Sequence, residues 1–228
     1  MTSTAIPEQI DLALAIHEAA HAVAYATQLP DRPGADRITI HCGTDARGFY
    51  AECNGYWRNN DGSMRKMPFH PLGVCAGPAA TALFDPRVQL TRHEALRLGA
   101  GLFPALAHER VAIAPDDWEQ AQAMGLSPAV LNAHMRAALL MCITFETLIL
   151  TVGRVIERQL VTEGLPVAEV CPVFLRQHVT GVANLINLGS TTLFYSSAEV
   201  CQHLASEIGK AAAVYTLALA KPFTEAVQ

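Results

Sequence analysis

This 228-residue sequence has no close-set cysteine pair, no basic cluster and no apolar run of membrane length, and each absence excludes a class of function. The cysteines, at 42, 53, 75, 142, 171 and 201, form no Cys-x-x-Cys, so neither a zinc finger nor a dithiol redox motif is present. Met1 to Gln9 carries Glu8 and no basic residue ahead of an apolar stretch, unlike a secretory or transit signal. Reduced thiols packed as small hydrophobes, in a cytoplasmic protein, are the expectation. Lys and Arg are scattered and the formal charge is -5, which speaks against a nucleic-acid partner. The longest apolar run, Ala137 to Val152, is shorter than a membrane span and contains Glu146, so it predicts a buried helix and no membrane span. There is no internal repeat or low-complexity tract.

What is present suffices for one sizeable domain: 51% of residues are hydrophobic. The patterning predicts a mainly α fold with a small β-hairpin. Pro7 to about Leu29 has the apolar face of a first helix, stopped by Pro30. Arg37 to His41 and Gly48 to Glu52 read as two strands, and Asn54 to Lys66, with Asn60-Asp61-Gly62, as an exposed loop. In that loop Trp57 reads as an anchor. Pro71 to Phe84 is helical in period, Thr91 to Glu94 is a capping box, and Pro115 opens a short helix with Asp116 and Asp117 in its first turn. Ser127-Pro128 starts the longest helix, running to about Glu163 with Gly153 as a candidate break and Gly164 closing it. Val167 to Val179 and Ser196 to Ala220 read as further helices. The turn region around Gly189 divides a domain at 1–189 from a C-terminal helical extension at 190–228.

The chemistry is concentrated in His17-Glu18-Ala19-Ala20-His21. Residues four apart share one helix face, so both imidazoles can reach one tetrahedral cation, the geometry of a zinc site. Glu18 is rotated out of the ligand pair yet stays beside the metal, where a carboxylate can take a proton from the attacking water and hand it to a leaving amine. A catalytic zinc needs a third protein ligand and an open fourth position. Spacing leaves Asp116, Asp117, Glu119, Glu94, Glu109, His93 and His108 all open for that role. The remaining histidines read as surface or hydrogen-bonded core residues.

Ala15-Ile-His-Glu-Ala-Ala-His-Ala-Val-Ala24, the strand Arg37 to His41 followed by Gly48-Phe49-Tyr50, the segment Gly73-Val-Cys-Ala-Gly77 with Ala79, Ala80 and Leu83, and Asp117-Trp-Glu-Gln-Ala121 together resemble the zinc peptidase domain of the FtsH-type AAA+ metalloproteases. The resemblance covers about 15–164. It implies a zincin-like H-E-x-x-H helix, Zn2+ held by His17, His21 and Asp117, and Glu18 as general base. It also implies a protein or peptide substrate lying extended along an edge strand, here Gly48 to Glu52, with Gly48, Phe49 and Tyr50 as substrate-binding residues. Ala20 replaces the family's Gly, Asp116 a preceding Asn, Pro78 an Arg and Thr81 a Glu. No G-x-x-x-x-G-K-[ST] occurs, so the expected activity is ATP-independent hydrolysis of flexible or unfolded segments. The alternative is a catalytically inactive, zinc-stabilised regulatory protein acting through its helical surface. The long apolar helix offers a face for a homo-oligomer.

Overall fold

The computed structural model describes residues 10–27, 33–45, 48–88, 90–108 and 115–179. The segment 190–228, with the helix expected at Ser196 to Ala220, lies outside them. The described part is mainly helical, with one small four-stranded antiparallel sheet.

Helix α1 spans Leu12–Ala26 and starts where Asp11 can cap it: Leu14 N–H donates to Asp11 Oδ1 at 2.7 Å. The expected Pro7 start lies outside the described residues. Strands β1 (Arg37–Asp45) and β2 (Gly48–Arg58) form a hairpin in which Ile40 faces Cys53 and Ile38 faces Gly55. β2 is longer than expected, because Tyr56, Trp57 and Arg58 pair with β3 (Met64–Lys66) instead of entering a loop. The loop expected from Asn54 onward is thus strand as far as Arg58. Inside the sheet, a Cβ on Gly55 would come within 2.8 Å of the Tyr25 ring, so the glycine serves contact with α1. Trp57 does anchor, donating from Nε1 to the Pro33 carbonyl at 3.3 Å.

On the other side of β1 lies β4 (Val167–Val170), giving the order β3-β2-β1-β4. The helix expected over Val167 to Val179 is therefore a strand followed by α8 (Pro172–His178). Ala168 and Val170 are buried while Val167 and Glu169 are less so, a period of two, and Pro172 opens the new helix at its first turn.

The other helices are α2 (Pro71–Phe84), α3 (Arg92–Leu98), α4 (Leu102–His108), α5 (Pro115–Ala123), α6 (Pro128–Thr144) and α7 (Glu146–Glu157). The expected single helix from Pro128 onward is broken at Phe145, where the axis bends by 83°. The bend lets α6 pack on α2 and α7 on α1, with the Phe145 ring buried at the corner. Gly153, the expected break, is inside α7; a Cβ there would lie 2.7 Å from Ile16 Cγ1, so it permits a close helix crossing. Among the described residues no single helix is long and apolar enough to cross a membrane.

Candidate metal centre

The middle of α1 is buried, and Ala19, Ala20, Ala22 and Ala24 are small enough for neighbouring elements to approach closely. Against this stretch α2 presents Gly73, Gly77 and Thr81, each four residues from the next and so on one face. The two helices meet rung by rung. His21 Nδ1 donates to the Gly73 carbonyl at 2.8 Å, and His17 Nδ1 lies 2.9 Å from Thr81 Oγ1. Between these rungs sits Gly77, where a Cβ would lie 2.3 Å from both imidazole Nε2 atoms. The missing side chain leaves a hollow at the point on which both rings converge.

Asp117 enters the same hollow from α5. Its Oδ2 is 3.0 Å from His17 Nε2 and 3.5 Å from His21 Nε2, while the two Nε2 atoms are 3.0 Å apart. Ligands about 2.0–2.1 Å from one tetrahedral cation would be spaced by about 3.3 Å, so the three atoms stand close to the separations a single ion requires. His17, His21 and Asp117 are all buried and form a group that could hold a metal ion.

Hydrogen bonding shows why a cation suits this hollow. The Gly73 carbonyl can only accept, so His21 carries its proton on Nδ1 and, when neutral, turns a bare lone pair inward from Nε2. With His21 neutral, its Nε2 offers no hydrogen to Asp117 Oδ2, 3.5 Å away, and that oxygen has no hydrogen-bond partner among the described residues. Lone pairs and a carboxylate oxygen crowded at one point demand positive charge. Without a metal, protonation supplies it. Burial opposes charge on His21, but the Asp117 carboxylate, accepting its hydrogen bond, and Glu18 outweigh this and push it up to about 9. For Asp117, burial alone would favour the neutral acid; His21 and His17 overcome that and hold its carboxyl well below the usual carboxylate range.

Glu18 is as buried as the ligands but stands outside their group. The backbone N–H of Cys53 donates to its carboxylate, while Oε2 has no hydrogen-bond partner among the described residues. Burial raises the Glu18 pKa; His17 and His21 pull against that, and Asp117 adds to it. A cavity of about 70 Å³ opens here, lined by the three ligand candidates, Glu18, Tyr25, Ala51, Glu52, Cys53, Phe69, Gly73, Val74 and Gln120. It has room for a cation and a few waters and none for a folded segment.

Of the alternatives for a third ligand, Glu94 is committed to the α3 capping box, bonding Thr91 N–H at 2.8 Å. His93 and Glu119 are exposed. Glu109 and the side chains of His108 and Asp116 lie outside the described residues. Gly48, Phe49 and Tyr50 begin β2, but its part against the cavity is further along, at Ala51 to Cys53. Tyr50 points to the opposite face of the sheet, where its hydroxyl covers Gly43. Phe49's side chain is outside the described residues. No thiol joins the metal group among the described residues, and burial, with the nearby Glu18 charge, pushes Cys42 up to about 12.

Gly73, Gly77, Thr81 and the Cys53 N–H were not singled out as site residues from sequence. The four-residue spacing of Gly73, Gly77 and Thr81, matching that of His17 and His21, was the available signal for close helix packing. Thr81 supplies a hydroxyl to orient His17. Thr81→Val, nearly isosteric, is expected to lower metal affinity about 10- to 100-fold, measured by competition with a chromogenic chelator, while Thr81→Ser retains it.

Comparison of the chain with protein-family models, with curated proteins and with solved structures finds no match. The family resemblance therefore rests on the quoted motifs.

Proposed function

We propose that the protein is an ATP-independent zinc metalloendopeptidase, with an FtsH-type peptidase domain, that cuts flexible or unfolded protein segments in the cytoplasm. The observation that carries this reading is the convergence of His17, His21 and Asp117 on the hollow left by Gly77, with the unpartnered Glu18 Oε2 beside it. Two imidazoles and one carboxylate, with a fourth position open toward the cavity, are a donor set suited to catalytic zinc. When bound, zinc would polarise the scissile carbonyl and acidify water.

The chain's own groups do the rest. Thr81 and the Gly73 carbonyl fix the two rings so that their Nε2 atoms face one point. The Cys53 N–H holds one side of the Glu18 carboxylate and leaves Oε2 to take a proton from water and return it to the departing amine. Substrate backbone has a place to pair. Among the described residues, β2 is bonded to β1 along its length but to β3 only from Tyr56 onward, so no strand pairs with the other side of Gly48 to Asn54, which borders the cavity at Ala51 to Cys53.

The test uses the purified full-length chain. It should carry about one zinc per chain. A chelator should stop its hydrolysis of a labelled unfolded protein, and added zinc should restore it. Absence of zinc, or cleavage indifferent to the chelator, overturns the proposal. Bound zinc with no hydrolysis of any peptide favours the zinc-stabilised regulatory reading instead.

A further inference from the structure

From the same site, and resting on the peptidase reading, we infer that Phe69 is a specificity-determining residue that selects an apolar side chain on the amino-terminal side of the bond to be cut.

The chain leaves the edge of β2 at Pro68. Met67 N–H donates to the Gly55 carbonyl at 2.8 Å, extending the β3 pairing by one residue. Pro68 follows and has no N–H to give, so the ladder ends there. The chain then turns away through Phe69 to His70, whose side chain caps α2 by accepting from Leu72 N–H. Beyond this point no strand pairs with this edge of β2 among the described residues, and the Cys53 N–H on it is held by Glu18.

An extended peptide that takes up this edge antiparallel to β2, as every strand pair in this sheet is arranged, runs in the direction of β3. Its amino-terminal end therefore abuts Met67 and Phe69, and its carboxyl end points toward Gly48. The Glu18 carboxylate is tied to the Cys53 N–H, so the reacting bond lies near Cys53. Phe69 then stands on the side of residues preceding that bond.

Of the exposed large apolar residues among those described, Phe69 is the one that borders the cavity. It is 47% exposed, yet it lines the cavity together with the apolar side chains of Tyr25, Ala51 and Val74. An aromatic ring left half in water beside a reaction centre gains by covering itself with a substrate side chain. The exposed ring also contributes little to the core, so replacing it leaves the fold standing.

The experiment measures kcat/KM for a synthetic peptide series that differs only in the residue before the scissile bond, with Leu or Phe against Asp or Ser, and maps the cut by mass spectrometry. Wild type should prefer the apolar members. Phe69→Ser should reduce the apolar-to-polar ratio about 10-fold, mainly through KM, with bound zinc unchanged, while Phe69→Leu should keep most of it. Cleavage with a ratio that does not change in Phe69→Ser overturns the inference and spares the peptidase reading. A change confined to the residue after the scissile bond also overturns it. No cleavage by zinc-loaded wild type removes both.

Discussion

Gly77→Ala is expected to reduce bound metal from about one ion per chain to a small residual fraction, with the helical fold retained. The reason is spatial. A Cβ at this position would lie 2.3 Å from Nε2 of both His17 and His21, inside the hollow itself. The methyl group would occupy the ion's space, and relief by moving α1 from α2 would break the His21 bond to Gly73 and the His17 contact with Thr81. Ala is a better helix former than Gly by about 1 kcal/mol, which partly offsets an overpacking cost of about 1–3 kcal/mol. Gly73→Ala is the control. It lies on the same face of α2, but its Cβ would have no neighbour within 4 Å, so that variant should keep its metal. Metal analysis after dialysis, with circular dichroism for fold, reads the result. Full metal content in Gly77→Ala would place the ion elsewhere.

Glu18→Gln is expected to keep the metal and lower kcat by about 10²- to 10⁴-fold, the usual range for losing a positioned general base. Glu18 is outside the ligand group, and glutamine has its volume and can still accept from the Cys53 N–H. What it lacks is an acceptor for the water's proton at the position of Oε2. The metal-free variant should also melt no lower than wild type. Burial raises the Glu18 pKa in the fold, so ionising it costs stability above its unfolded value, and that cost is absent from the amide. Metal content, steady-state kinetics and thermal melts of both forms decide the matter. Undiminished turnover would remove Glu18 from the mechanism.

The local features of the sequence were legible because their causes are local. The capping box at Thr91, the Ser127 cap and the start of α2 at Pro71 are chemistry within one turn, and the structure has each where the pattern puts it. His17 and His21 share a face because four residues make about one helical turn. Features set by packing were not legible. Val167 to Val170 is a strand because β1 has an edge to pair, the bend at Phe145 follows from α1 and α2 requiring separate partners, and Asn54-Gly55 stays extended because Tyr25 covers the glycine. The same holds at the site. That Asp117 meets the histidines depends on α5 packing on α2, which no spacing expresses.

Because Asp117 reaches the hollow from a helix far along the chain from α1, an ion held there would act as a cross-link as well as a reagent. It would bind the folded arrangement and not the separated segments, so its binding free energy would add to that of folding, by about 1.4 kcal/mol for each tenfold excess over its dissociation constant. The docking of α5 and the completeness of the site would then rise and fall together with metal supply. With the ion withdrawn, α5 would lose that tie to α1 and become more open to an added protease.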